Sequence, residues 1–392
     1  MFGIREEVWK NINGFNTATE IYQQPELWLE TLQIIQNNIE KIKGFFAGFQ
    51  ENKNTRIIFA GAGTSAYIGE TLVPYLQRKY NYRFEAIPTT HIVTNPENYL
   101  EKDTTTIIIS FGRSGNSPES MATFNLAEQL INDVHHIFIT CNPDGEMAKT
   151  AKDKKNILLL LMPEKSNDKG FAMTSSLTCM MLAALLIFDI QNLENYSKQL
   201  VEIANIGKNI LDNNHQNLSE LLNSTPKRVT YLGSGSFYGL SKESALKLLE
   251  LTRGKIIGYS ESVLGFRHGP KSIVNDETLV FIFLSQDAYS RKYDIDLLRE
   301  IYNDPGDHTV IAISANFEND LKEICDDLLY LPEEAAEIDN PILISMLYIL
   351  YAQMFALLAS VKSGIEPDNP NPGGIVNRVV KGVNIYPYGK TN

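Results

Sequence analysis

Three clusters in this chain carry residue types that can do chemistry. The first, Gly61-Ala62-Gly63-Thr64-Ser65-Ala66, sets two adjacent hydroxyls in a glycine turn. The second, Ser110-Phe111-Gly112-Arg113-Ser114-Gly115-Asn116-Ser117-Pro118-Glu119, follows the apolar run TTTIII. Pro118 suits the first turn of a helix and Ser117 its cap, so backbone N–H groups point out of this turn, and Ser114 and Ser117 add hydroxyl donors. Such a turn is an anion cradle built on a helix N-terminus instead of on lysines, which suits one phosphate monoester. A plain capped turn is the alternative. The third cluster runs from Glu243-Ser244-Ala245-Leu246-Lys247-Leu248-Leu249-Glu250 to Gly265-Phe266-Arg267-His268-Gly269-Pro270. Lys247 and Glu250, three apart, share one face of a helix. A solvated surface pair has the same spacing, and an isolated histidine such as His268 is more often structural than catalytic.

The first cluster also fits a dinucleotide fingerprint of the GxGxxA type, with Glu85 as the acid about 20 residues on. The hydroxyl pair Thr64 and Ser65 weighs against that reading. So does the second cluster, which a dinucleotide domain does not need. NAD binding is therefore not expected, and an oxidoreductase is the rival that NAD binding would reveal.

These clusters need elements to position them. Trp28, Leu32, Ile35, Ile39, Ile42 and Phe46 recur at helical spacing over 26–50, an N-terminal helical layer. A strand, turn and helix follow at 56–79, and the same unit returns at 228–251: Arg56 matches Arg228 and Gly61 matches Gly233, both at an offset of 172. The offset persists as TIIISF (106–111) matches TLVFIFL (278–284), HIFIT (136–140) matches TVIAIS (309–314) to within a residue, and apolar helices at about 174–190 and 341–361 close each half. Short apolar strands alternating with helices imply an α/β chain of two doubly wound parallel-sheet domains, an internal duplication. Ligands of such sheets bind outside the carboxyl ends of the strands, where the glycine and hydroxyl clusters fall. The expected divisions are a helical segment at 1–50, a first domain at 51–223, a second at 224–364 and a tail at 365–392.

Composition narrows the function. A chain of 392 residues holds two ordinary cores, and 43% hydrophobic with 21% charged residues describes a folded globular protein. The net charge of -12, without a basic run, argues against nucleic acid. Cys141, Cys179 and Cys325 are far apart and form no CxxC, so no disulfide framework, metal site or cofactor is expected. The opening MFGIREEVWK lacks a signal-peptide core, which points to the cytoplasm. The apolar stretch 342–361 approaches a membrane span in length, but Ser345, Tyr348, Tyr351, Gln353 and Ser360 interrupt it, so a buried core helix is expected and no membrane.

GAGTS, RSGNSPES, ESALKLLELTRGK and SESVLGFRHGP resemble the sugar isomerase (SIS) domain family, and within it the bacterial tagatose-6-phosphate ketose/aldose isomerase or galactosamine-6-phosphate deaminase branch. EIYQQPELW (20–28), GFAMTSS (170–176), GFRHGPKS (265–272) and VNRVVKGVNIYP (376–387) extend the likeness over nearly the whole chain. The resemblance implies two SIS domains, a homodimer whose active site is shared between subunits, and a sugar-phosphate substrate. By similarity to the isomerase half of glucosamine-6-phosphate synthase, Glu250 is implied as the carboxylate that shuttles a proton between C1 and C2. His268 is implied in ring opening from the neighbouring subunit, Lys247 in supporting the reacting oxygens, and Lys381 as a C-terminal catalytic lysine. Thr64, Ser65, Ser114 and Ser117 match phosphate-binding hydroxyls, and the binding set extends to Gly63, Arg113, Gly115, Asn116, Thr174 and Ser175. Gly112 departs from the synthase-like pattern, which has a serine there. The implied activity is conversion of galactosamine 6-phosphate to tagatose 6-phosphate with release of ammonia. Isomerisation without deamination, or sugar-phosphate sensing, are its rivals, and the absence of a basic helix-turn-helix together with the presence of Glu250 and His268 weighs against a sensor.

Overall fold

The apolar runs fold into ten strands in two parallel five-stranded sheets in the computed structural model, which describes residues 1–389 apart from Gln50, Asn52, Asp153 and Lys381. β1 (Arg56–Ala60), β2 (Arg83–Ala86), β3 (Thr106–Gly112), β4 (Val134–Thr140) and β5 (Ile157–Leu161) lie in the order β2-β1-β3-β4-β5. β6 (Arg228–Gly233), β7 (Ile257–Glu261), β8 (Thr278–Phe283), β9 (Thr309–Ser314) and β10 (Asp327–Tyr330) repeat that order as β7-β6-β8-β9-β10. The registers repeat too: Arg56 pairs with Thr106 and Arg228 with Thr278, each 172 residues on from its counterpart. The two doubly wound sheets bear out the α/β expectation. In either sheet the connections reverse direction between the first and third strands of the repeat, which opens a crevice at the carboxyl ends of those strands.

The chain divides into two compact units. One holds the first sheet and comprises Glu30–Asp168, Ser175–Leu193 and Gly373–Asn392; the other holds the second sheet and comprises Met1–Leu29, Lys169–Thr174 and Glu194–Pro372. The helical run expected over 26–50 is two helices, Gln24–Asn37 and Ile39–Phe46. They part at Asn38, whose side-chain amide donates to the Ile34 carbonyl (2.9 Å) and competes with the helical ladder. The edge strand β7 has no apolar run to announce it: its residues, IGYSE, are at best half-buried, because it borders the sheet.

Central strands are buried on both faces, so Ile107, Ile108 and Ile109 of β3 and Val280 to Phe283 of β8 are all inside. Helix Pro341–Lys362 is long and apolar enough to cross a membrane, but every residue from Ile342 to Ser360 is buried within the protein. The polar residues that interrupt it show why. Tyr348 Oη donates to the Leu284 carbonyl (3.2 Å), Tyr351 Oη to the Tyr330 carbonyl (3.1 Å), Ser360 Oγ to the Ile365 carbonyl (3.0 Å), and Gln353 Oε1 accepts from Gln24 Nε2 (2.7 Å). A helix buried throughout, with its hydroxyls bonded to carbonyls of its own protein, is a core helix. The three cysteines are buried and form no disulfide, and burial pushes the Cys141 thiol up to about 12.

β4 carries a pH-sensitive element of the core. His136 is fully buried against Phe124 (ring centroids 4.7 Å apart), and burial pushes its pKa down to about 4 although Glu128 Oε1, 3.0 Å from Nε2, pulls the other way. The unfolded imidazole titrates near 6.5, so between those values the unfolded chain binds the extra proton. This contribution is complete above pH ~6.5 and is lost as pH falls towards 4, on the order of 3 kcal/mol. Urea midpoints across this range are expected to fall more steeply for the wild type than for His136→Phe; parallel curves would remove His136 from the account.

Candidate active site

The carboxyl end of β1 turns into helix Thr64–Lys79 with no room to spare. A Cβ on Gly61 would lie 2.4 Å from the Ser65 carbonyl carbon, and Gly63 takes φ 56° and ψ −129°, a conformation that favours glycine. Thr64 and Ser65 open the helix and are buried. Glu85, the acid of the dinucleotide reading, is spent within the sheet: both its oxygens accept from Arg56 (2.8 and 2.6 Å).

β3 ends in the adjacent loop. Ser117 is the N-cap of helix Pro118–Leu130, but its hydroxyl donates to Glu119 Oε2 (2.7 Å) instead of accepting from the helix. The loop is pinned through its acceptors: Asn142 Nδ2 donates to the Ser114 carbonyl (2.9 Å), the Met147 amide to the Gly115 carbonyl (3.0 Å) and the Glu146 amide to Asn116 Oδ1 (2.9 Å). Among the described residues the amides of Ser114, Gly115 and Ser117 carry no hydrogen bond. The Asn116 amide donates to Ser114 Oγ (3.3 Å); a loop held by its carbonyls with three amides open is what an anion requires.

Arg113 and Ser175 serve other partners. The Arg113 guanidinium is buried and donates to the Arg378 carbonyl (2.9 Å), while Arg378 in turn donates to the Asp168 carbonyl through Nε (3.0 Å). Arg113 thus ties the loop to the C-terminal tail. Ser175 is fully buried and donates its hydroxyl to Asp168 Oδ1 (2.5 Å), the carboxylate that caps helix Ser175–Phe188 from inside the fold. Thr174 is likewise fully buried.

The other unit carries the acid–base candidates on helix Ser236–Leu251. Lys247 is fully buried and ion-paired to Glu250 and, at 3.5 Å, to Glu243. The side chains of Lys247 and Glu243 are 0% and 2% exposed against 25% for Glu250. A solvated surface pair is thereby excluded. A buried ammonium is costly unless paired; Glu243 supplies the inner partner, and Glu250 is the carboxylate that a ligand can reach. Sequence reasoning passed over Glu243, although its place four residues before Lys247 was a signal.

His268 stands on a braced turn. Arg267 Nε donates to Glu300 Oε2 (2.7 Å), Lys271 pairs with Glu300 (2.5 Å) and Asp304 (2.7 Å), and the His268 amide donates to the Gly265 carbonyl (3.0 Å). The imidazole between them is exposed and makes no hydrogen bond among the described residues, including to Lys247 or Glu250. Lys381 lies outside the described residues. No group of three or more His, Cys, Asp or Glu among the described residues is placed to hold a metal ion. A surface cavity lined by Phe45, Phe49, Thr105, Asp133 and His135 lies at the opposite, amino-terminal ends of the first sheet's strands and shares no residue with these loops.

The SIS domain family matches residues 51–189 and 223–363, one match on each sheet. The chain belongs to the SIS domain family. Both glycine turns, the Ser114–Ser117 loop and the Lys247–Glu250 pair fall inside the two SIS matches. D-galactosamine-6-phosphate deaminase AgaS of Escherichia coli is 42% identical over 376 residues, covering 96% of this chain and 96% of that protein. The solved structure of tagatose-6-phosphate ketose/aldose isomerase from Escherichia coli shares 38% identity and the SIS fold, with a TM-score of 0.86 over 99% of each chain. A solved structure from Clostridium novyi NT, 47% identical over 99% of each chain, superposes with a TM-score of 0.97.

Proposed function

We propose that this SIS protein converts galactosamine 6-phosphate to tagatose 6-phosphate and ammonia. The observation that carries the chemistry is Glu250, a half-buried carboxylate anchored by a buried lysine yet open to a ligand; the relative of 42% identity carries the choice of substrate. The Ser114–Ser117 loop, with Thr64 and Ser65, holds the phosphate. His268 opens the ring, and its exposure fits a histidine supplied to a second copy, so a homodimer belongs to this reading. Glu250 takes the C2 proton and returns it to C1. Loss of the C2 proton gives the enolamine and its return to C1 the C2 ketimine, which water hydrolyses: the C=N bond breaks, the carbonyl oxygen comes from water, and nitrogen leaves as ammonia. Lys247 fixes the carboxylate and supports the reacting oxygens.

Plain aldose–ketose isomerisation is the second reading, favoured by the Escherichia coli isomerase structure. It uses the same proton transfer on a 2-hydroxyl sugar. Incubation with galactosamine 6-phosphate and glucosamine 6-phosphate, with ammonia and ketose phosphate followed together, separates the two. Ammonia from the galacto substrate supports the proposal; ketose from an unsubstituted aldose phosphate without ammonia replaces it with the second reading. The cradle is tested by Ser114→Ala/Ser117→Ala. Losing hydroxyl donors to a phosphate is expected to raise KM about 10- to 100-fold with kcat little changed, and an unchanged KM would move the phosphate elsewhere.

A further inference from the structure

The duplication allows the two repeats to be compared position by position. Helix Pro118–Leu130 corresponds to Ser290–Tyr302 at the offset of 172, so loop 113–117 corresponds to 285–289, Ala62 to Ser234 and Ala122 to Asp294. The glycine turn is the same in both: Gly235 has φ 57° and ψ −124°, against 56° and −129° at Gly63. The donors around it are not treated alike.

In the first repeat the amides of Gly115 and Ser117 are open. In the second, the amides at those positions are taken by the loop's own side chains. The Asp287 amide donates to Ser285 Oγ (3.1 Å), and the Tyr289 and Ser290 amides both donate to Asp287 Oδ1 (3.1 and 3.0 Å). Deeper in the loop, Asp294 is fully buried: Oδ1 accepts from Ser234 Oγ (2.6 Å) in the glycine turn and Oδ2 from the Ser285 amide (2.8 Å). Arg291, where the first repeat has Glu119, donates to the Ser285 carbonyl (3.0 Å) and to Ser314 Oγ (3.2 Å), and its charge is met by an ion pair with Glu318. A glycine-turn hydroxyl, loop amides and a helix N-terminus form a donor set for an anion. Two carboxylates from the chain fill it.

We propose that the second repeat is a phosphate cradle closed by its own acids, Asp294 and Asp287 standing as internal ligands where the first repeat leaves its donors to a phosphate monoester. The comparison rests on the phosphate reading of the first loop. It goes beyond that reading in stating that the chain has a second, latent anion site and what keeps it shut.

The test counts inorganic phosphate bound per chain by equilibrium dialysis, in the wild type and in Asp287→Gly/Asp294→Ala. The double variant is expected to bind one equivalent more than the wild type, and to melt several degrees lower without phosphate while recovering part of that loss with it; chloride at equal ionic strength does not substitute. The inference is read in the difference between variant and wild type, and the first cradle in the wild-type count, so failure of one is distinguishable from failure of the other. Adding Ser114→Ala/Ser117→Ala removes the wild-type equivalent and leaves the gain. Should the double variant not fold, the same count on Asp287→Gly, at an exposed position, is expected to show the gain at weaker affinity. No gain in a folded variant, or two equivalents in the wild type, overturns the proposal.

Discussion

Glu250→Gln is expected to lower kcat on galactosamine 6-phosphate by about 10³-fold, within the range a positioned acid–base group supplies, while KM changes only a few fold. The substitution keeps the side chain's shape and an oxygen that can accept from Lys247, and it removes the capacity to carry a proton. Lys247 keeps Glu243, 3.5 Å away and buried with it, so the helix retains a counter-charge for its ammonium. The melting temperature should therefore stay within a few degrees of the wild type. The same variant in D₂O should fail to wash deuterium into C1 of the product. Retention of a tenth or more of the wild-type rate, with a normal melt, would remove Glu250 from the proton transfer and leave it as a structural partner of Lys247.

The second large effect concerns stability. Asp168 is fully buried, and its carboxylate accepts hydrogen bonds from the Ser175 amide (3.2 Å) and hydroxyl (2.5 Å), and from the Ser176 amide (3.0 Å) and hydroxyl (2.5 Å). It therefore places a negative charge at the N-terminus of helix Ser175–Phe188, nearly all of which is interior. In Asp168→Asn one side-chain atom becomes a donor facing donors, and the bonds that remain lose their charge assistance. Stranding buried donors costs ~1–3 kcal/mol each, so a loss of about 3–5 kcal/mol is expected, read as a lower urea midpoint. A shift below about 1 kcal/mol would mean that the helix end finds other acceptors.

The same carboxylate explains why part of the site was illegible in the sequence. A Thr-Ser-Ser run at a helix start looks alike whether its hydroxyls face a ligand or an acid of the chain, and Asp168, seven residues before Ser175, belongs to no local motif. Apolar runs such as TIIISF and TLVFIF revealed the central strands because strands covered on both faces must be apolar throughout. β7 escaped because an edge strand has no such requirement. Lys247 and Glu250 were visible as a helical pair, but their burial depends on helix Pro341–Lys362 packing against their own helix, a contact about a hundred residues away in sequence. The Ser114–Ser117 loop was readable as a helix start with hydroxyls; that its carbonyls are pinned down while the amides of Ser114, Gly115 and Ser117 stay open needed coordinates.

The matching backbone at Gly63 and Gly235 separates inheritance from use. Both turns preserve one manoeuvre, a strand reversing into a helix through a conformation that few residues other than glycine adopt, and both keep it whether or not anything outside the chain is ever held there. Glycine in such a place records descent from a common half, and the side chains around it record employment. In a duplicated protein, a census of glycine-rich turns therefore counts ancestors; occupancy has to be read from what the neighbouring donors are already holding.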